Sequence, residues 1–107
     1  MPTKTEVRLQ EDSKFLLYPN YPNPFNSSTQ IEYYLPETSF VRLSIYNYLG
    51  QKVTDYINVE QTAGRYSREI QMSNFNSGIY FYSLEAKAVN SGKCYQKTNK
   101  MILSKQY

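Results

Sequence analysis

The chain has 107 residues, with nine Asp or Glu against twelve Lys or Arg, and no histidine. That length fits one domain with a modest core, not two. The mild net charge of +3 demands no nucleic acid, and the lack of histidine excludes Ser-His-Asp and Cys-His nucleophilic pairs and imidazole metal sites.

Cys94 is the only cysteine, so the chain cannot form an internal disulfide or supply a zinc or iron–sulfur site alone. The four glycines are scattered through turns, and none belongs to a phosphate-binding loop. No cofactor, metal or small-molecule substrate is expected. Aromatic residues make up 16% of the chain, twelve of them tyrosine. Tyrosine suits pleated, half-buried surfaces, so the bulk composition points to β structure. No apolar run reaches the roughly 18 residues of a membrane-spanning helix.

Residues 1–14, "MPTKTEVRLQEDSK", are polar and aperiodic and carry no apolar h-region. They read as a linker or tail ahead of a single domain over 15–107. The missing signal peptide implies either a cytosolic protein or a piece of a longer one. "FLLY" (15–18) is a short strand that enters a turn-rich stretch, "YPNYPNPFNSST". "STQIEYYLP" (28–36) alternates, with Ile31, Tyr33 and Leu35 on one face, as a half-buried strand does. "SFVRLSIYN" (39–47) repeats the pattern with Val41, Leu43 and Ile45. The short Pro36–Thr38 link predicts that these two strands form an antiparallel hairpin.

Gly50 and Gly64 mark turns around a strand at 51–59, and a further strand follows at 65–72. "SNFNSG" (73–78) is loop chemistry. "IYFYSLEAKA" (79–88) starts apolar on both faces, which suits a central strand. "NSGK" (90–93) is a turn, and "CYQKTNKMILSK" (94–105) is the last strand. Seven short strands with regular turn signals and no helical period predict an antiparallel β-sandwich, with a small closed barrel as the alternative. The expected core includes Ile31, Tyr33, Leu35, Val41, Leu43, Ile45, Ile70, Tyr80 and Leu84.

Candidate chemistry is sparse. Glu32, Asp55 and Glu69 fall within strands, where carboxylates sit on the wet face. Inventory alone does not exclude a glycosidase-like pair, but no catalytic residue is assigned. Asn26-Ser27-Ser28 matches a glycosylation sequon at a length where chance matches are common. Lys87, Lys93, Lys97, Lys100 and Lys105 sit in the last 21 residues without a carboxylate. Such lysines commonly protect an edge strand.

Three separated stretches carry a resemblance. They are "LYPNYPNPFNSSTQIEYYLP" at the front, "YNYLGQKV" in the middle, and "AGRY" followed by "NSGIYFYSLEA" and "KMILSK" at the end. Together they resemble the type A C-terminal sorting domain of the Bacteroidetes type IX secretion system, over about Phe15 to Lys105. The most specific elements are Tyr21-Pro22-Asn23-Pro24-Phe25-Asn26 and Gly78-Ile79-Tyr80 at its distance from the terminal Lys-x-x-x-x-Lys pattern. Gly50 and Gly64 also match family turns.

The resemblance implies an Ig-like sandwich fused behind an exported cargo. Such a domain is read by the translocon in the periplasm and then removed by a cell-surface sortase. It implies an address on a protein bound for the cell surface or the medium, not an enzyme. Arg68 departs from the family pattern, which has an apolar residue there, and Gln106 and Tyr107 extend past the usual end.

The Pro-Asn stretch lacks backbone donors and is preset in φ. It is expected to cross the open end of the sandwich with Tyr21 and Phe25 as a lid. Recognition is expected at the last strand. There unpaired backbone groups invite strand addition, Lys100 and Lys105 orient a partner, and Met101, Ile102 and Leu103 fill its pockets. The rival readings are an Ig-like structural module of an assembly and a carbohydrate-binding module that uses Tyr34, Tyr46 and Tyr56. The domain is expected to be a monomer.

Overall fold

The computed structural model describes residues 14–105. Of the expected N-terminal tail only Lys14 lies within that range, and Gln106 and Tyr107 lie outside it. The described residues form seven strands and no helix: β1 (Leu16–Leu17), β2 (Ser28–Leu35), β3 (Ser39–Asn47), β4 (Lys52–Gln61), β5 (Gly64–Gln71), β6 (Gly78–Ala88) and β7 (Cys94–Leu103). They build two antiparallel sheets, ordered β1-β2-β5 and β4-β3-β6-β7. The result is an Ig-like β-sandwich.

One expectation about pairing fails. β2 and β3 do not form a hairpin. β2 pairs with β1 and β5, whereas β3 pairs with β4 and β6. Tight hairpins favour residues at positive φ. Pro36 is fixed at negative φ, and neither Glu37 nor Thr38 is a favoured substitute. The chain therefore arches from one sheet to the other. The apolar faces of the two strands then meet across one core instead of lying side by side.

That core contains all nine expected residues, each buried. Phe15, Phe25, Ile57, Met72, Tyr82, Ala86, Met101 and Leu103 complete it. Ile45 is fully buried, so Ile45→Ala is expected to cost about 2–5 kcal/mol. A denaturant-unfolding shift under about 0.5 kcal/mol, the range of surface substitutions, would show that this face is misassigned.

Buried tyrosines place their hydroxyls on partners, as they must. Tyr80 Oη, near the start of β6, donates to the Asn76 carbonyl at 2.7 Å. This is the tyrosine-corner arrangement of immunoglobulin-type sandwiches. Tyr82 Oη donates to the Tyr18 carbonyl at 2.8 Å and accepts from Asn99 Nδ2 at 3.2 Å. Burial pushes the Tyr82 phenol above its ordinary pKa.

Arg68 does not disturb the register of β5, which pairs with β2 without a break from Gln71 to Gly64. Its guanidinium donates to the Tyr56 carbonyl of β4 at 3.3 Å, tying the two sheets together where an apolar residue would only pack. Strand directions put the 18–27, 48–51 and 72–77 loops at one pole. The described chain enters at the other pole, beside the 36–38 and 89–93 loops. There Phe15 stacks on Tyr95 at 5.2 Å, and Tyr95 Oη donates to Glu37 Oε2 at 3.0 Å.

Candidate recognition site at one pole of the sandwich

The Tyr21–Asn26 hexapeptide is fastened at both ends. Tyr21 exchanges backbone hydrogen bonds with Gln30 at 3.0 and 2.9 Å, anchoring the front to β2. Phe25 forms a parallel bridge with Leu103 of β7. Its N–H donates to the Ile102 carbonyl at 2.9 Å, and its carbonyl accepts from Ser104 N–H at 2.8 Å. Asn23 Oδ1 accepts from Ile102 N–H at 3.0 Å. The loop thus joins one sheet to the last strand of the other.

Its composition explains how. Pro22 and Pro24 have no N–H to satisfy. The Pro22 carbonyl accepts from Asn20 Nδ2 at 3.2 Å and Thr29 Oγ1 at 2.8 Å. The Asn23 side chain supplies an acceptor where the β7 edge needs one. The expected lid of two rings is a lid of one. Phe25 is only 2% exposed and joins the core, whereas Tyr21 is 80% exposed. Tyr21 lies opposite Gln30, which is exposed on the outer face of β2. Directly opposed residues share a face, so its ring points outward. Asn26 is exposed as well.

Gly78, Ile79 and Tyr80 pair with Leu103, Ile102 and Met101. The "GIY" and "KMILSK" stretches are therefore neighbours in one sheet, and the hexapeptide lies along their outer edge. Met101 and Leu103 are core residues, 0% and 1% exposed. In the folded domain only Ile102 of the apolar triplet faces outward, together with Lys100. A partner reaches Met101 and Leu103 only if the strand end is drawn out. Lys105 N–H donates to Ser77 Oγ at 2.9 Å, and its Nζ donates to the Ser73 carbonyl.

Gly50 joins the same pole in the β3–β4 turn, at φ +84°, where a side chain would be strained. Asn47 Oδ1 shapes that turn by accepting from the Leu49 and Gln51 N–H groups. Gly64 stands apart, opposite Leu35 at the other pole.

The edge of β7 is divided. Ile102 and Ser104 direct their outer backbone groups to the hexapeptide. By the two-residue period, Gln96, Thr98 and Lys100 direct theirs the same way. Among the described residues these take no backbone partner on that side. The expected free edge is thus the Gln96–Lys100 stretch, while the end beyond it is already occupied. Asn99 Nδ2 closes the inner side, donating to the Leu17 and Tyr18 carbonyls at 3.3 Å. Sequence reasoning missed Asn23, Ser73 and Ser77 as partners of the last strand. The available signal was asparagine beside proline, an amide that can replace a missing backbone group.

Other candidates do not assemble. Tyr34 and Tyr46 lie on the outer faces of different sheets, and Tyr56 Oη is bonded to the Gln71 carbonyl of β5. The three rings make no common sugar platform. Glu32 pairs with Arg65 at 3.7 Å. Asp55 accepts from Ser44 Oγ at 2.6 Å, which holds its pKa below the ordinary carboxylate value, and pairs with Lys52. Glu69 accepts from Gln71 Nε2. A surface cleft of about 510 Å³ lies far from the motif pole, and the Arg42–Glu85 pair at 3.8 Å is part of its lining. Cys94, exposed at the start of β7, lines it.

No curated protein matches the chain. A family model described as secretion system C-terminal sorting domain matches residues 19–103. That span takes in the hexapeptide, the "GIY" stretch and β2 through β7. A match over most of the chain, ending where the last strand meets the hexapeptide, settles membership: this chain belongs to the family of secretion system C-terminal sorting domains.

Proposed function

We propose that the domain is the address read by the type IX translocon in the periplasm, after Sec export of an upstream cargo. A cell-surface sortase then removes it. It acts as a monomer, without catalysis, cofactor or nucleic acid, and its cargo ends at the cell surface or in the medium. One observation carries this reading. The most specific motifs of the family, Tyr21–Asn26, Gly78–Tyr80 and Lys100–Lys105, meet at one pole of the fold. The described chain enters at the opposite pole, so a cargo fused before residue 15 leaves this pole open to a reader.

Recognition rests on β7. Gln96, Thr98 and Lys100 offer backbone groups for strand addition, and Lys100 gives a partner a charge to orient against. Lys100 is exposed and has no ion-pair partner among the described residues. Lys105 is half-buried and holds the strand end down through Ser73.

The test fuses the 107-residue chain behind a reporter with a Sec signal, in a host that has the type IX system. Lys100→Glu with Lys105→Glu is expected to leave the reporter in the periplasm. Lys100→Glu alone is expected to move the thermal midpoint by no more than about 4 °C, the shift that a surface change of about 0.5 kcal/mol produces. Normal secretion of the charge-swapped domain would remove the lysines from the signal.

A further inference from the structure

The outer face of the four-stranded sheet changes character along its length. In its middle, polar groups satisfy one another. Ser44 Oγ bonds to Asp55, Ser83 Oγ meets Gln96 and Thr98 at 3.2 Å each, and Arg42 faces Glu85. Toward the motif pole the outward positions turn apolar. Tyr46, Phe81 and Lys100 stand in one row across β3, β6 and β7, and Ile79 faces Ile102 in the next outward row. Their strand neighbours Ile45, Tyr80, Tyr82 and Met101 point into the core, so these side chains point away from it. Ile79 is 42% exposed, and Leu49 in the adjoining turn is 66% exposed.

Single exposed apolar residues are ordinary on protein surfaces. Here an exposed Ile79 and the half-buried Tyr46, Phe81 and Ile102 occupy adjoining register positions. Two strand spacings by two residues give a face of roughly 10 by 7 Å. Its rim is charged on both sides, by Lys52 of β4 opposite Tyr46, which is paired with Asp55 at 3.3 Å, and by Lys100 of β7. The Lys100 ammonium has no carboxylate partner among the described residues, and residues 86–105 contain no Asp or Glu.

We propose that Tyr46, Ile79, Phe81 and Ile102 form a docking face for an apolar ridge on a partner protein, with a carboxylate of that partner meeting Lys100. The proposal rests on the address reading above and adds to it. The reader grips the folded outer face of the sheet, not only the exposed edge of β7. A face this small accepts one or two side chains, which suits a transient handover more than a permanent complex. The cation at Lys52 is already matched by Asp55, so the unmatched Lys100 is the charge that selects an acidic partner and rejects a basic one.

The test uses the same full-chain reporter fusion. Ile79→Lys and Ile102→Lys are each expected to lower the secreted fraction at least tenfold. Ile79→Thr, which keeps a β-branched residue in the strand, is expected to lower it in the same direction with an unchanged thermal midpoint. Val89→Lys, at an exposed site on the opposite pole, is expected to secrete normally. If the unaltered domain is secreted and the three face variants are too, the docking face is overturned while the address role stands. If the unaltered domain stays in the periplasm, the address reading fails first and takes the face with it. Sedimentation of the purified chain with phosphatidylethanolamine–phosphatidylglycerol vesicles tests a lipid surface as the occupant. Binding that Ile79→Lys abolishes would overturn the protein partner in favour of a membrane.

Discussion

Deletion of residues 100–107 is expected to unfold the domain. The cut removes Met101 and Leu103, both fully buried. Truncating either to alanine alone would cost about 2–5 kcal/mol. It also removes the β7 partners of Gly78, Ile79, Tyr80 and Phe81 in β6 and the strand end to which Phe25 is bound. Domains of this kind hold only about 5–15 kcal/mol of net stability, so the combined loss exhausts most or all of it. Far-UV circular dichroism with a thermal scan measures this directly. A cooperative melt within a few degrees of the intact domain would refute the assignment of these residues to the core. The consequence for the secretion assay is practical. A reporter stranded by this deletion reports on folding as much as on recognition, and Lys100→Glu alone is the cleaner probe of the address.

Phe25→Ala is expected to cost about 3–5 kcal/mol, in the range of buried Phe truncations. The ring is 2% exposed and closes the core at the motif pole. Its backbone holds the Ile102 carbonyl and the Ser104 N–H. The local signature is as informative as the global one. Amide exchange at Ser104 and Ile102 should speed up more than exchange in the middle of β3, because the loop that covers them loses its anchor. Tyr21→Ala, two prolines away, is expected to shift stability by no more than about 0.5 kcal/mol, since its ring is 80% exposed. Equal effects from the two substitutions would mean that the hexapeptide packs as a unit and that Phe25 is not its anchor. Seen this way, the hexapeptide is a clasp on the last strand. It fixes where the free edge stops and holds Ile102 and Lys100 in a set orientation.

The alternation of residues by itself determined where the strands lie and which face of each enters the core. Ile31, Tyr33 and Leu35, and then Val41, Leu43 and Ile45, are buried as the two-residue period requires. The same local pattern was silent about partners. Every strand edge presents the same N–H and C=O groups, so the sequence of β2 cannot say whether β3 or β5 will bond to it. The Pro36–Thr38 link joined an arch between sheets, not the hairpin that its length suggested, and only the packing of two apolar faces across one core decided that. The "KMILSK" stretch was ambiguous for a related reason. Three consecutive apolar residues carry no alternation, so inward Met101 and Leu103 could not be told from outward Ile102 until the strand was paired with β6. The meeting of Asn23 and Phe25 with Ile102, across more than 75 residues of chain, lay furthest beyond reach. Proline and asparagine announced a rigid loop poor in donors, but the edge that would fill its remaining hydrogen bonds comes from the other end of the chain. Only the closed sandwich brings the two together.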